Sequence, residues 1–338
     1  MCKFGIILTH FDILHISWQR RYVMRWLLSL VLLTASTTAS AVDVIFSEAL
    51  NINKHNIMLV SSNGGVAKRL TSGENDWDPV WSPDGRQILF TSTRGGGEGS
   101  GLYAMGADGK GIRPFNLGDQ GGKAHPQWSP DGTRIAYMAN AIGEIRTTIF
   151  VADLDGSNKE DVTPGIEVAG FSPISWSPDG TRIAFNTKGE GGYANISIVT
   201  LANKQVTMIE SKKNAAYPAW SPDGQWITYA GDQGETWELF VTSPEGKGTK
   251  QITKLGRRFS VSDPTWVDAE TLLFVLGDLD KKIDGICTIN LAGENLKTLY
   301  TVGWETPIAT PRARPTGTLA VTPKQLTTTW GAVKTGVR

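Results

Sequence analysis

Short apolar runs alternate with turn residues along most of the chain. From Val42 onwards the runs are bounded by Gly, Asn, Asp and Pro, as in the segment Arg134–Tyr137, and no amphipathic helical stretch of useful length separates them. Short, often alternating apolar runs between turn residues are typical of β-strands. We therefore predict an all-β chain.

One segment recurs and gives the chain its period. The segment Asp78–Phe90 carries Ser-Pro-Asp-Gly between two apolar runs, and this tetrapeptide predicts a tight turn, because Pro presets φ, Asp bonds its own backbone and Gly accepts a left-handed conformation. It stands at Ser82–Gly85, Ser129–Gly132, Ser177–Gly180 and Ser221–Gly224. A Trp precedes each copy, and weaker copies follow. The six aligned positions are Trp81, Trp128, Trp176, Trp220, Trp266 and Ala313, at steps of 47, 48, 44, 46 and 47 residues.

This period predicts a repeated unit of four strands. Each motif is followed by a second strand, a third strand, a hairpin turn such as Asp108-Gly109 and a short outer strand. Units of this size and number are typical of a β-propeller, so we predict six blades, with seven as the alternative. A single four-stranded sheet cannot cover its own faces, and we expect the repeated Trp to fill the space between neighbouring blades.

The two ends of the repeat region hold incomplete units. Val44–Thr71 reads as strands two to four of a unit, and Pro307–Thr322 supplies a first and a second strand. We predict that two C-terminal strands join two N-terminal strands to complete the sixth blade. That arrangement leaves Val44–Ala49 and Thr327–Lys334 without a place in the six blades. A seventh, incomplete blade formed by these two segments is therefore the alternative.

Residues 1–41 have the pattern of an export signal. Arg25 precedes the apolar run Trp26–Leu33, and Ala39–Ala41 supplies the small residues that a signal peptidase recognises. We predict cleavage near Ala41, a translation start at Met24 and a soluble, monomeric propeller of residues 42–338. The product is then periplasmic or secreted, without stable membrane insertion. An uncleaved N-terminal anchor is the alternative.

The charge balance indicates which partners the chain can bind, and the cysteine content indicates what role its cysteines have. The chain has 33 basic and 33 acidic residues, and without residues 1–41 the numbers become 29 and 32. This balance argues against a nucleic-acid partner. Cys2 lies in the predicted signal and Cys287 stands alone in a strand-like run, so we expect Cys287 to be a small buried apolar residue.

The repeated Pro-x-Trp-Ser-Pro-Asp-Gly-x-x-Ile-Ala-Phe motif resembles that of the TolB-type propeller family of bacterial envelope proteins. The resemblance covers about residues 44–322. It implies a six-bladed propeller, exported to the periplasm, that binds other proteins through one face and the mouth of its channel. The chain departs from TolB in one respect, because no α/β domain precedes the first motif. The resemblance therefore does not carry over the coupling to the Tol–Pal machinery.

The residues directly before the motif Pro are the candidate site. First strands line the channel of a propeller, so these residues should surround one end of it and form a partner-binding mouth. They are Asp78, His125, Ser172, Tyr217 and Asp263. The alternative is that the Asp and Ser side chains bond local backbone before Pro, which is a common turn role.

The sequence leads to one predicted function and to one alternative from a different class. Outside residues 1–41 the chain has only His55 and His125, it has no Gly-x-Ser-x-Gly elbow, and no α/β-hydrolase domain follows the last repeat. We therefore predict a non-enzymatic scaffold, without catalytic residues or cofactor, that binds a protein or peptide of the cell envelope. The alternative is a metal-dependent polysaccharide lyase or hydrolase. Its divalent cation would be held by Asp78, His125 and Asp263.

Overall fold

The computed structural model describes most of the repeat region. It covers residues 41–316 except 52–53, 96–98, 118–121, 141–145, 171, 190–193 and 210–213. The predicted export signal, the Met24 start, the second C-terminal strand and the segment 327–334 lie outside the described residues. Within the described residues no helix occurs, and therefore no helix there is long and apolar enough to cross a membrane.

The strands form six four-stranded antiparallel sheets, which are the blades of a ring. The prediction of an all-β, six-bladed propeller is confirmed. Blade 1 contains β1 (Asp43–Asn51), β2 (Lys54–Ser61) and β3 (Lys68–Arg69); blade 2 contains β4 (Asp76–Trp81), β5 (Gln87–Ser92), β6 (Gly101–Gly106) and β7 (Arg113–Pro114); blade 3 contains β8 (Lys123–Trp128), β9 (Arg134–Asn140), β10 (Thr147–Asp153) and β11 (Glu160–Asp161). Blade 4 contains β12 (Ser175–Trp176), β13 (Arg182–Lys188), β14 (Ala194–Thr200) and β15 (Gln205–Ile209); blade 5 contains β16 (Ala215–Trp220), β17 (Ile227–Asp232), β18 (Trp237–Thr242) and β19 (Lys250–Gln251); blade 6 contains β20 (Phe259–Trp266), β21 (Thr271–Asp278), β22 (Ile283–Asn290) and β23 (Lys297–Gly303). The last strand, β24 (Ile308–Ala313), returns to blade 1.

Blade 1 closes the ring with one C-terminal and three N-terminal strands. Its order is β24-β1-β2-β3, with Val44 opposite Ala313 and Glu48 opposite Ile308. The predicted combination of two strands from each end is therefore wrong, because β1, which was expected to be surplus, is the second strand of the blade. The physical reason is burial: Val44, Ile45 and Phe46 are all fully buried, and such a run belongs inside a sheet covered on both faces.

The apolar core is divided among the junctions between blades. Six apolar clusters occur among the described residues, and each is built from two neighbouring blades. Successive residues of one strand serve different junctions: Ile45 packs against blade 2, whereas Val44 and Phe46 pack against blade 6. This alternation follows from the two-residue period of a strand. Cys287 lies in one of these clusters at 1% exposure, as predicted.

The repeated turns have the predicted structure. Ser82 Oγ donates to Asp84 Oδ1 over 2.6 Å, and the backbone N–H of Arg86 donates to the same oxygen over 3.0 Å. Gly85 takes a φ of 67°, where a side chain would be strained. The other three copies repeat the Ser-to-Asp bond at Ser129–Asp131, Ser177–Asp179 and Ser221–Asp223. The motif Ser and Asp are thus used by the turn itself.

The motif Trp residues lie between blades, as predicted. All five are only 5% to 9% exposed. The indole Nε1 of Trp81 donates to the carbonyl of Arg312, and that of Trp266 donates to the carbonyl of Ala219, each on the inner strand of the preceding blade. Arg182 of blade 4 also stacks over the Trp220 ring of blade 5, with its guanidinium carbon 4.6 Å from the ring centroid. Each Trp therefore connects its own blade to the one before it.

Replacing Trp128 by Ala is expected to lower the free energy of unfolding by about 3–5 kcal/mol, because it leaves a cavity at the junction of blades 2 and 3. Denaturant titration followed by circular dichroism measures the change. The control is Trp304→Ala, since Trp304 is 41% exposed and its loss is expected to change the free energy of unfolding by less than about 1 kcal/mol. Equal effects of the two substitutions would show that Trp128 is not part of the core.

Candidate functional site

The inner strands are interrupted at the motif Pro. In β4, β8, β16 and β20 the pairing with the second strand skips two residues, and in each case the skipped pair ends in Pro. Proline has no N–H to give to the ladder, so a strand tolerates it at a bulge. The skipped pairs are Asp78-Pro79, His125-Pro126, Tyr217-Pro218 and Asp263-Pro264.

The residue before the motif Pro is left-handed in five of the six blades. The φ angles are 52° at Asp78, 52° at His125, 60° at Tyr217, 50° at Asp263 and 49° at Thr310. A residue other than Gly adopts this region at a cost of about 1–3 kcal/mol, and such strain is concentrated at functional sites. The five residues lie inside the inner strands, two to four residues after these strands begin. We call the end of the channel at which the inner strands begin the mouth. Sequence reasoning missed Thr310, although the following Pro311 marks it.

Asp78 and His125 meet across the junction of blades 2 and 3. His125 Nδ1 lies 3.0 Å from Asp78 Oδ2, and both side chains are nearly buried. The other ring nitrogen, Nε2, lies 3.2 Å from the carbonyl oxygen of Gly170. Because both ring nitrogens face an oxygen acceptor, the doubly protonated imidazolium fits this environment better than either neutral tautomer. When His125 is protonated, the contact is an ion pair.

The pKa shifts of the two groups agree with this assignment. Burial by itself raises the pKa of Asp78, but the charge and contact of His125 outweigh it and the pKa falls below the ordinary 3.8. Burial by itself lowers the pKa of His125, but the charge and contact of Asp78 and the Gly170 carbonyl raise it above the ordinary 6.5. Each partner thus favours the charged form of the other.

Tyr217 and Asp263 belong to the inner strands of blades 5 and 6. Burial raises the pKa of Asp263, although the Ser262 side chain, the Arg312 charge and the backbone N–H of Thr310 oppose the shift. Burial, with the charge of Asp263 as a second cause, raises the pKa of Tyr217 to about 12. The Tyr217 hydroxyl therefore keeps its proton at neutral pH and remains a hydrogen-bond donor.

Ser172 does not face the open mouth. It is fully buried, and its Oγ accepts the backbone N–H of Tyr217 over 2.9 Å, which links blade 4 to blade 5. The motif of blade 4 carries one extra residue, Ile174, and Ser172 is not left-handed. The structure therefore gives Ser172 a bond to the backbone of the neighbouring blade, where the sequence suggested either a mouth residue or a bond to local backbone.

A cavity of about 100 Å³ lies among the inner strands, next to the mouth. Tyr217 and Asp263 line it together with a second set of residues, which stand directly before the Trp position of the motif. Members of this second set that line the cavity are Gln127, Ser175, Ala219, Thr265 and Arg312. Sequence reasoning missed them, although the Trp that follows each of the first four, and Ala313 after Arg312, marks their position in the motif.

The metal hypothesis has limited support from the geometry. Within the described residues, no three His, Cys, Asp or Glu side chains are placed so that they hold a metal ion together. Both nitrogens of His125 already face oxygen atoms, so a metal at this ring would have to replace a proton. A divalent cation at Asp78, His125 and Asp263 stays a prediction.

The ion pair predicts a pH dependence that NMR can measure. The pKa of His125 is raised, so its contribution to stability is complete below the unfolded-state pKa near 6.5 and is lost as the pH rises through the folded-state pKa. The pKa of Asp78 is lowered, so its contribution is complete above the unfolded-state value near 3.8 and is lost as the pH falls through the folded-state pKa. We expect the pair to stabilise the fold most between about pH 4 and 6.5.

In Asp78→Asn the pKa of His125 is expected to fall below its wild-type value, because burial then acts with less opposition. Titration of the imidazole proton resonances measures the pKa, and a His55→Gln variant assigns the signals. An unchanged His125 titration in Asp78→Asn would contradict the ion pair.

Comparison with known proteins identifies relatives. The sequence profile described as TolB beta propeller domain matches residues 41–167 and 123–321. A curated relative, the uncharacterized peptidase YuxL of Bacillus subtilis (strain 168), is 30% identical over 184 residues, which are 54% of this chain and 26% of that protein. The chain thus spans about a quarter of that relative's length.

Two solved structures share the fold at low sequence identity. TolB from Acinetobacter baumannii superimposes with a TM-score of 0.65 at 16% identity, over 81% of this chain and 66% of that one. An oligogalacturonate lyase in complex with manganese superimposes with a TM-score of 0.51 at 13% identity, over 77% of this chain and 73% of that one. At this level of identity both comparisons show a common fold and nothing about a common activity.

Proposed function

The chain belongs to the TolB beta propeller domain family, and on this premise we propose that it is a non-enzymatic scaffold of the cell envelope. In this proposal the channel mouth binds a protein or peptide partner. The export-signal pattern of residues 1–41 and the family resemblance support a periplasmic location. The step from propeller to partner binding rests on analogy and on the mouth itself, because a fold alone does not fix a function.

The observation that carries the proposal is the repeated strain at the mouth. Five blades hold a left-handed residue other than Gly at the same end of the channel, and four of these residues are Asp78, His125, Tyr217 and Asp263. Ionisable and hydrogen-bonding side chains kept there at an energetic cost indicate a recognition site. The mouth is thus the best candidate for the partner-binding surface.

Exposed apolar residues lie at the same end of the ring. Trp304 and Leu279 are each 41% exposed. Leu279 follows β21, and Trp304 follows β23, at the ends of those strands that lie on the mouth side. Aromatic and aliphatic side chains beside polar groups are the usual composition of a protein-binding surface. A partner that enters the channel at the mouth would contact both these exposed apolar residues and the polar groups of the mouth.

A metal-dependent lyase or hydrolase is the second candidate function. The observation in its favour is the contact of Asp78 with His125 near Asp263, and a manganese-containing lyase shares the fold. Calorimetry with calcium and manganese tests it on the wild type and on the Asp78→Ala, Asp263→Ala double variant. Heat from the wild type that disappears in the double variant would favour this candidate over the scaffold.

Site-specific photo-crosslinking tests the scaffold proposal. A benzoylphenylalanine at position 304, on the mouth side, is expected to give discrete adducts with one envelope protein in intact cells, identified by mass spectrometry. The matched control places the same residue at position 66, since Val66 is 99% exposed and lies between β2 and β3 at the opposite end of the ring. Equal adducts at both positions, or none at position 304, would contradict binding at the mouth.

A further inference from the structure

Arg312 is a positively charged residue of the channel. It lies on the closing strand β24, two residues after Thr310, and it lines the channel cavity. Its Nη1 donates to the carbonyl of Pro311 over 2.9 Å. Among the described residues, no carboxylate lies within ion-pair distance of its guanidinium, in contrast to Arg94, Arg258 and Arg314, which all have an acidic partner.

The acidic groups of the channel act on Arg312 through their charges, without an ion-pair contact among the described residues. Asp78 forms the ion pair with His125. The Ser262 side chain and the backbone N–H of Thr310 oppose the rise in the pKa of Asp263 that burial causes. An arginine offers five donors in a planar fork, and Arg312 gives one of them to Pro311. Its remaining donors therefore have capacity for an acceptor that enters the cavity.

Neutral polar groups complete the lining around Arg312. The Tyr217 hydroxyl, the Gln127 amide and the hydroxyls of Ser175 and Thr265 belong to the same cavity. At about 100 Å³, the cavity has room for about three water molecules or for one carboxylate group. A guanidinium with nearby hydroxyl and amide donors matches a carboxylate, which arginine binds through two parallel hydrogen bonds.

We propose that the channel cavity is a carboxylate-binding site in which Arg312 is the principal ligand-binding residue. The inference rests on the proposed function in taking the channel as the place where a partner enters. Asp263 also lines the cavity, so each negative charge of a ligand is repelled there. A singly charged carboxylate is therefore favoured over a doubly charged phosphate. The carboxylate comes either from a peptide, at a side chain or a C-terminus, or from a free small acid.

Saturation-transfer NMR with acetate tests the site on the purified propeller. Acetate is expected to bind with a Kd on the order of 1 mM, while its neutral analogue acetamide gives a much weaker signal. Inorganic phosphate has no C–H protons, so it is added as a competitor, and it is expected to reduce the acetate signal less than an equal concentration of unlabelled formate does. Arg312→Gln is expected to weaken acetate binding about tenfold or more, and Arg312→Lys to retain part of it. The matched control Arg86→Ala, at an exposed turn position, is expected to bind like the wild type. Circular dichroism shows that each variant is folded.

A peptide arm distinguishes the two sources of the carboxylate. Three short peptides of one sequence are compared: one with a free C-terminus, one amidated, and one amidated with an added Glu. A peptide that binds more tightly than acetate and loses this advantage in Arg312→Gln indicates a partner's carboxylate. Equal affinity of acetate and the best peptide indicates a free small acid.

Two results would overturn the inference: no acetate signal from the wild type, or an acetate signal that is the same in Arg312→Gln and Arg312→Lys as in the wild type. Neither result depends on the partner. Crosslinking at position 304 without acetate binding would refute the carboxylate site and leave the scaffold proposal standing. Acetate binding without crosslinking would contradict partner binding at the mouth and leave the carboxylate site standing.

Discussion

The fold depends on one constraint, which is that both faces of these four-stranded sheets are apolar and must be removed from water. Successive residues of β1 show it directly: Ile45 packs on one side against blade 2, and Phe46 packs on the other side against blade 6. Every blade repeats this arrangement, so every junction carries an apolar cluster. Only a closed ring gives each face a neighbour. The strand β24 therefore matters to the whole molecule, because it completes the blade that joins the two ends of the chain.

A closed ring also explains how the mouth holds strained residues. Each left-handed residue costs about 1–3 kcal/mol and persists only where its surroundings fix it. At Asp78 and Tyr217 the backbone N–H donates to a serine of the preceding blade, Ser47 and Ser172 respectively. Contacts between blades thus fix the geometry of the site. The interactions that stabilise the fold and those that arrange the mouth are in part the same.

The sequence predicts what is local and repeated, and it fails where distant segments meet. The turns, the period and the role of residues such as Trp128 follow from chemistry within one repeat. Ring closure does not, because only the burial of Val44–Phe46 on both faces shows that β1 is an interior strand. The repeat places Asp78 and His125 at the same position of adjacent blades, so the sequence predicts that they are neighbours but not that their side chains are in direct contact. Arg312 was missed because the candidate site was sought only at the residue before the motif Pro, and Arg312 stands before the Trp position.

The motif itself explains where members of such a family can differ. In β4, β8, β16 and β20 the Pro lies at the bulge and the Trp fills the junction, so a change at either position of these strands is expected to destabilise the fold. The residue before the Pro and the residue before the Trp can vary without this cost. In this chain both sets of residues line the cavity, as Tyr217 and Arg312 show. Two positions per blade therefore determine the chemistry of the channel. One scaffold can then carry a neutral, a metal-binding or an anion-binding channel, and the substitutions that distinguish these need not disturb a single junction between blades.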